Sequence, residues 1–211
     1  MSFITQIYVL TVALAFLSSL IQFRRDRPLH LNVFAILLAI TFAIELSVLI
    51  NRKENAWLYN AFILPEFMTY AWFFYRIIQL KKTRKAIFLF FIFFPIFWFI
   101  TIYLKYGFKT FNSNIIVVGA FFTVFMSISY YYQLLASEKL VKLSKHTEFW
   151  IATGMMIFYS CQLPFFGLLN YLYTYHKVLA GKLVFVLQGA DAVMYLLFTY
   201  AFLCQLPAKK S

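Results

Sequence analysis

Three acidic residues, Glu45, Glu66 and Asp191, stand inside long apolar runs. A charged side chain near the middle of a bilayer costs ~3 kcal/mol or more, so each one asks for a reason. Amide side chains keep them company at comparable levels: Asn60, Gln162, Asn170 and Gln188. On a helix Gln188 and Asp191 are i,i+3 neighbours and share a face, and Glu66 and Tyr70 are i,i+4 neighbours. Arg52, Lys53 and Lys182 lie only at the ends of the runs, so no cation sits at the depth of the acids. Two chemistries suit this set: a protonatable relay, or a pocket for an amine or other cation. The plainer use is interhelical glue, with the acids hydrogen-bonded to Tyr, Asn and Gln. Other chemistries lack their residues. His30, His146 and His176 form no HxxxH or HExxH spacing, so no metal centre is expected. There is no G-x-S-x-G and no Ser/His pair within a run, so no catalytic residue and no cofactor is expected either.

The elements that position these residues must be transmembrane helices. The chain has 211 residues, of which 64% are hydrophobic, 22% aromatic and only 12% charged. Its mean hydropathy is +0.80. A soluble domain runs nearer half apolar and a quarter charged, so a soluble enzyme is excluded; low charge excludes a disordered chain, and only two cysteines exclude a disulfide scaffold. The apolar runs are continuous and lack the period-two alternation of a membrane barrel. The expectation is an all-α integral membrane protein. Seven segments near the ~20 residues needed to span can be drawn, at about 3–22, 31–50, 57–80, 86–104, 114–136, 148–173 and 183–206. They form one seven-helix bundle, because no loop is long enough to fold alone.

Charge gives the orientation. The first, third and fifth loops and the tail carry twelve Lys and Arg, and the other loops carry six. The positive-inside rule then predicts the N-terminus outside and the C-terminus in the cytoplasm. The net charge of +12 reflects these flanks and forms no stripe, which argues against nucleic acid as a partner. The first segment has no basic residue before its apolar stretch, so it reads as a span and not as a cleaved signal. Measured from the outer face at 1.5 Å per residue, Glu45, Glu66 and Asp191 lie at roughly 8, 13 and 12 Å, all in the outer half.

A repeat can be drawn. With Glu66 aligned on Asp191, Tyr70 falls on Tyr195, Phe73 on Phe198 and Tyr75 on Tyr200. His30 precedes Glu45 by 15 positions and His146 precedes Gln162 by 16. A parallel three-plus-one-plus-three duplication would leave the fourth segment as a peripheral linker. That segment suits the role: from Ile87 to Ile100 it has no strongly polar side chain, and Pro95 should kink it. Pro65 beside Glu66 and Pro164 beside Gln162 are candidate hinges. Cys161 and Cys204 read as small packing residues, and Tyr130, Tyr131 and Tyr132 as an interfacial belt.

Seven spans with this orientation resemble several families, which can be tested on residues. A retinal pump needs a lysine midway along the last span, where Asp191 and Met194 stand. Eukaryotic-type receptors carry an acid-Arg-aromatic triplet, and here Tyr75-Arg76 lacks the acid. SWEET-type transporters share the three-plus-one-plus-three plan, but their Pro-Gln signature is missing. Tyr59-Asn60 leading to Glu66, Tyr70-Ala71-Trp72-Phe73-Phe74-Tyr75, and Met194-Tyr195 through Ala201-Phe202-Leu203-Cys204 look like the small standalone seven-span proteins of bacteria. These are similar to the seven-helix sensory region of some histidine kinases. The resemblance covers the third and seventh segments. It implies a sensor in the bacterial inner membrane that binds a small ligand and signals to a cytoplasmic partner, but it supplies no active site. A transporter coupled to protons or cations is the alternative, and a membrane-embedded enzyme comes third.

Overall fold

The structure, a computed structural model, describes residues 3–21, 28–51, 55–136 and 145–204. These are α1 (Phe3–Ile21), α2 (Leu29–Asn51), α3 (Ala56–Ile77), α4 (Lys81–Ile100), a π-helical turn (Thr101–Tyr106), α5 (Ser113–Ala136), α6 (Thr147–Gly167), α7 (Leu169–Tyr175) and α8 (Lys177–Leu203). The described chain is helical throughout and contains no strand. Among the described residues five helices are long and apolar enough to cross a membrane: α2, α4 with its π-helical extension, α5, α6 and α8. The loops at 22–27, 52–54 and 137–144 and the tail at 205–211 lie outside the described residues, and with them much of the charge asymmetry.

Several helix ends differ from the expected ones. Lys81, Lys82, Arg84 and Lys85, read as loop, form the exposed first turn of α4. Polarity there marks the exit from apolar surroundings and not the end of the helix. Arg84 instead stacks on the Tyr75 ring at 4.5 Å. The stretch read as one sixth segment is divided. Pro164 lacks an N–H and Gly167 has little helix preference, so α6 ends there and α7 begins two residues later. The last helix then starts at Lys177, earlier than the hydropathy implied. Beyond Pro95, α4 tightens into no sharp stop but widens into the π-helical turn, closed by the Gly107 N–H on the Ile102 carbonyl at 2.7 Å. Gly107 has φ 72°, a conformation that needs glycine.

Six helices make a ring in the order α1, α2, α3, α5, α6, α8, with α8 closing against α1. The fourth helix stands outside it, packed on α3 and α5. Its buried residues Thr83, Ile87, Phe90 and Phe94 follow helical spacing and form one stripe. Its other faces expose Phe88, Phe93, Ile96 and Phe99. The ring is filled at one end by aromatic packing: Phe34 meets Phe73 at 5.6 Å and Phe198 edge-on at 5.1 Å. Phe34, Phe73, Phe198 and Phe202 are fully buried. Next to this plug His30 bonds Glu148 at 3.2 Å, joining the starts of α2 and α6. The structure buries His30, with its ring against Phe73 at 5.8 Å. His146 and His176 are exposed.

Candidate functional site

At the opposite end of the ring, where α1 and α3 begin and α2 ends, the helices part around a partly open cavity of about 390 Å³. Each of the six ring helices contributes to it, and α4 does not. Glu45 arrives from α2, Glu66 from α3, Gln162 from α6, and Gln188 with Asp191 from α8. Helix spacing explains the last pair: three residues advance the helix by about 300°, leaving both side chains on one face. The three carboxylates line the same cavity.

Their surroundings differ. Glu45 accepts from the Tyr59 hydroxyl at 3.3 and 3.4 Å, and Tyr8 lines the cavity with it. The Oε1 of Glu66 accepts from Tyr70 at 3.0 Å and from Tyr159 at 3.1 Å. Those two tyrosines are buried and pack edge to face at 5.7 Å, so the carboxylate is held from below. Asp191 has no hydrogen-bond partner among the described residues, although it lines the same cavity. Gln162 and Gln188 each leave a buried Oε1 without a partner. A buried acceptor left open costs about 1–3 kcal/mol, so these two amides are poised for a donor that the protein does not supply.

The remaining candidates are Asn60, Tyr70 and Asn170. Asn60 is buried but does not line the cavity. Its Nδ2 donates to the carbonyls of Phe108 at 2.9 Å and Thr110 at 2.8 Å, and its Oδ1 accepts from the Asn112 N–H at 3.4 Å. Trp98 Nε1 donates to the Asn60 main-chain carbonyl at 2.8 Å. Asn60 therefore straps the loop between the π-helical turn and α5. Tyr70 reaches the site only through Glu66. Asn170 falls in α7, and its side chain lies outside the described residues.

Sequence reasoning missed Tyr59 and Tyr159, which bond the acids, and the aromatic walls Tyr8, Phe111, Phe158 and Phe166. With 28 Phe and 15 Tyr in the chain, none of these stood out. Gln133 was missed too. It accepts from the Gln79 N–H at 2.5 Å and donates to the Ile77 carbonyl at 3.2 Å, pinning the α3–α4 turn. Pro65 and Pro164 both lie inside their helices, Pro65 next to Glu66 on the cavity wall. Among the described residues no three His, Cys, Asp or Glu side chains converge as metal ligands. Cys161 is exposed and Cys204 half-buried, and both are free. No protein-family model, curated protein or solved structure matches the chain.

Proposed function

We propose that this chain is a receptor-like membrane sensor whose cavity binds a small ligand and whose basic face signals to a cytoplasmic partner. One observation carries the reading: Glu45, Glu66, Gln162, Gln188 and Asp191, from four helices, line a single cavity of about 390 Å³. That volume is in the range of small-molecule sites. Seven helices span on this reading, α1 and α3 joining the five apolar ones because they complete the ring, and α7 being too short. The N-terminus is outside and the cavity opens outward. The positive-inside rule supports that placement, with exposed Lys81, Lys82, Arg84 and Lys85 facing the cytoplasm of a bacterial cell. The packed aromatic plug beneath the cavity, with Phe34, Phe73 and Phe198 fully buried, supports reception over permeation.

A transporter is the second reading, and a specific observation favours it. The paired positions of the drawn repeat, Glu66 with Asp191 and Glu45 with Gln162, all line the one cavity. The ring order also maps on itself when α1, α2 and α3 are exchanged for α5, α6 and α8. Rocking of two such halves is a known route to alternating access. The test is purification of the tagged protein from its native membrane in mild detergent, with mass spectrometry of its companions. A stoichiometric signalling protein, lost when Lys81, Lys82, Arg84 and Lys85 are changed to Gln, supports the sensor. A chain that emerges alone and moves solute across vesicles overturns it in favour of the transporter.

A further inference from the structure

The walls of the cavity also specify the chemistry of its occupant. No Lys, Arg or His lines it among the described residues, while three carboxylates do. The Tyr hydroxyls that bond Glu45 and Glu66 are already committed as donors. Open acceptors face an occupant there: the Asp191 carboxylate and the buried Oε1 atoms of Gln162 and Gln188. An occupant with positive charge and N–H donors answers these groups. Acceptors alone would be met by a metal ion, but the acids do not converge as ligands around one point. Between the polar groups the wall is aromatic, with Tyr8, Tyr59, Phe158, Tyr159 and Phe166. Ring faces attract an organic cation and cover its hydrocarbon part.

From this juxtaposition we infer that the cavity binds a protonated amine with an apolar body, its ammonium group held by Asp191, Gln162 and Gln188. The inference rests on the reading of the cavity as a ligand site and names its ligand class. Asp191 is the anchor, because among the described residues it alone of the three acids has no hydrogen-bond partner. Glu45 and Glu66, fixed by tyrosines, supply a negative field around it. A quaternary ammonium keeps the charge and the ring contacts but has no N–H to give the two amides, so it binds less well than a primary amine.

The experiment uses the full chain in nanodiscs, with empty nanodiscs as the blank, and calorimetric titration. The probes are benzylammonium, benzyltrimethylammonium, benzyl alcohol and benzoate. Benzylammonium is expected to bind saturably with one site per chain. Benzyl alcohol should bind about tenfold more weakly or worse, benzyltrimethylammonium in between, and benzoate not at all. Asp191→Asn should weaken benzylammonium by about tenfold and leave benzyl alcohol unchanged. Benzyl alcohol or benzoate binding as tightly as benzylammonium overturns the amine inference. If that binding is blocked by Val184→Trp at the cavity wall, the ligand site itself stands. Saturable binding of none of the four probes overturns both. The comparison among probes is made on the unaltered chain, so it does not depend on any variant folding.

Discussion

Replacing Asn60 by Leu removes hydrogen bonds while keeping nearly the same branched shape, so it isolates what the strap contributes. The structure gives the side chain two short bonds, 2.9 Å to the Phe108 carbonyl and 2.8 Å to the Thr110 carbonyl, and one long one, 3.4 Å from the Asn112 N–H. Each short bond is worth ~1 kcal/mol net, and the buried Asn112 N–H loses an acceptor as well. The long contact adds little. Asn60→Leu should therefore cost about 2–3 kcal/mol. Reversible unfolding in mixed micelles, titrated with a denaturing detergent, measures the total. Tryptic cleavage at the exposed Lys109 reports the loop itself and should accelerate. The Trp98 bond goes to the main chain of residue 60 and survives the change. Trp98→Phe should then cost the same in both backgrounds, within about 0.5 kcal/mol. A variant within about 0.5 kcal/mol of the wild type, with Lys109 cleaved no faster, would refute the strap.

Other changes test the packing and the site. At Gly119 a Cβ would run into the Phe67 ring, so Gly119→Ala should cost about 1–3 kcal/mol in the same titration, and Phe67→Leu should recover part of it. Tyr159→Phe and Glu66→Gln should be coupled by about 0.6 kcal/mol in a double-mutant cycle, because Tyr159 donates to Glu66; purely additive effects would deny the bond. Asp191→Asn removes an acid that lacks a hydrogen-bond partner among the described residues, so the Tm in detergent should rise by a few degrees even as amine binding falls. A drop in Tm would mean that Asp191 is structural. A cytoplasm-dependent reporter joined after Ser211 should be active, and an expressed but silent fusion would reverse the topology.

Membrane character was legible because apolar runs of this length have few other uses. The site was partly legible for a related reason. Glu45, Glu66, Gln162, Gln188 and Asp191 stand out where polar groups are costly, and all of them line the cavity. The same argument also selected Asn60, because cost says that a polar group needs a partner but not which one. Six residues separate Asn60 from Glu66, which turns the side chains about 120° apart on a helix, one toward the loop and the other toward the cavity. Tyrosine carries no such signal, being at home in a core, at an interface or in a site. Thus Tyr159, 93 positions from its partner Glu66, could be found only in three dimensions. The His30 and Glu148 pair, 118 positions apart, was hidden in the same way. Helix ends were the weakest reading, since hydropathy reports where the bilayer ends and Lys81 to Lys85 continue as helix past that point.

The closure of the ring by α1 and α8 has a consequence for how the protein is made. Nearly the whole chain separates these two neighbours, so the first helix to leave the ribosome waits for the last. Synthesis proceeds at ~5–20 residues per second, which sets that wait at roughly 10–40 s. During it Glu45 and Glu66 are already in place, while the wall that bears Gln188 and Asp191 does not yet exist. The half-built molecule is then a crescent with its acids open to lipid along one side. The last helix both completes the wall and covers them, so a chain that stops short of α8 is left as a target for membrane quality control.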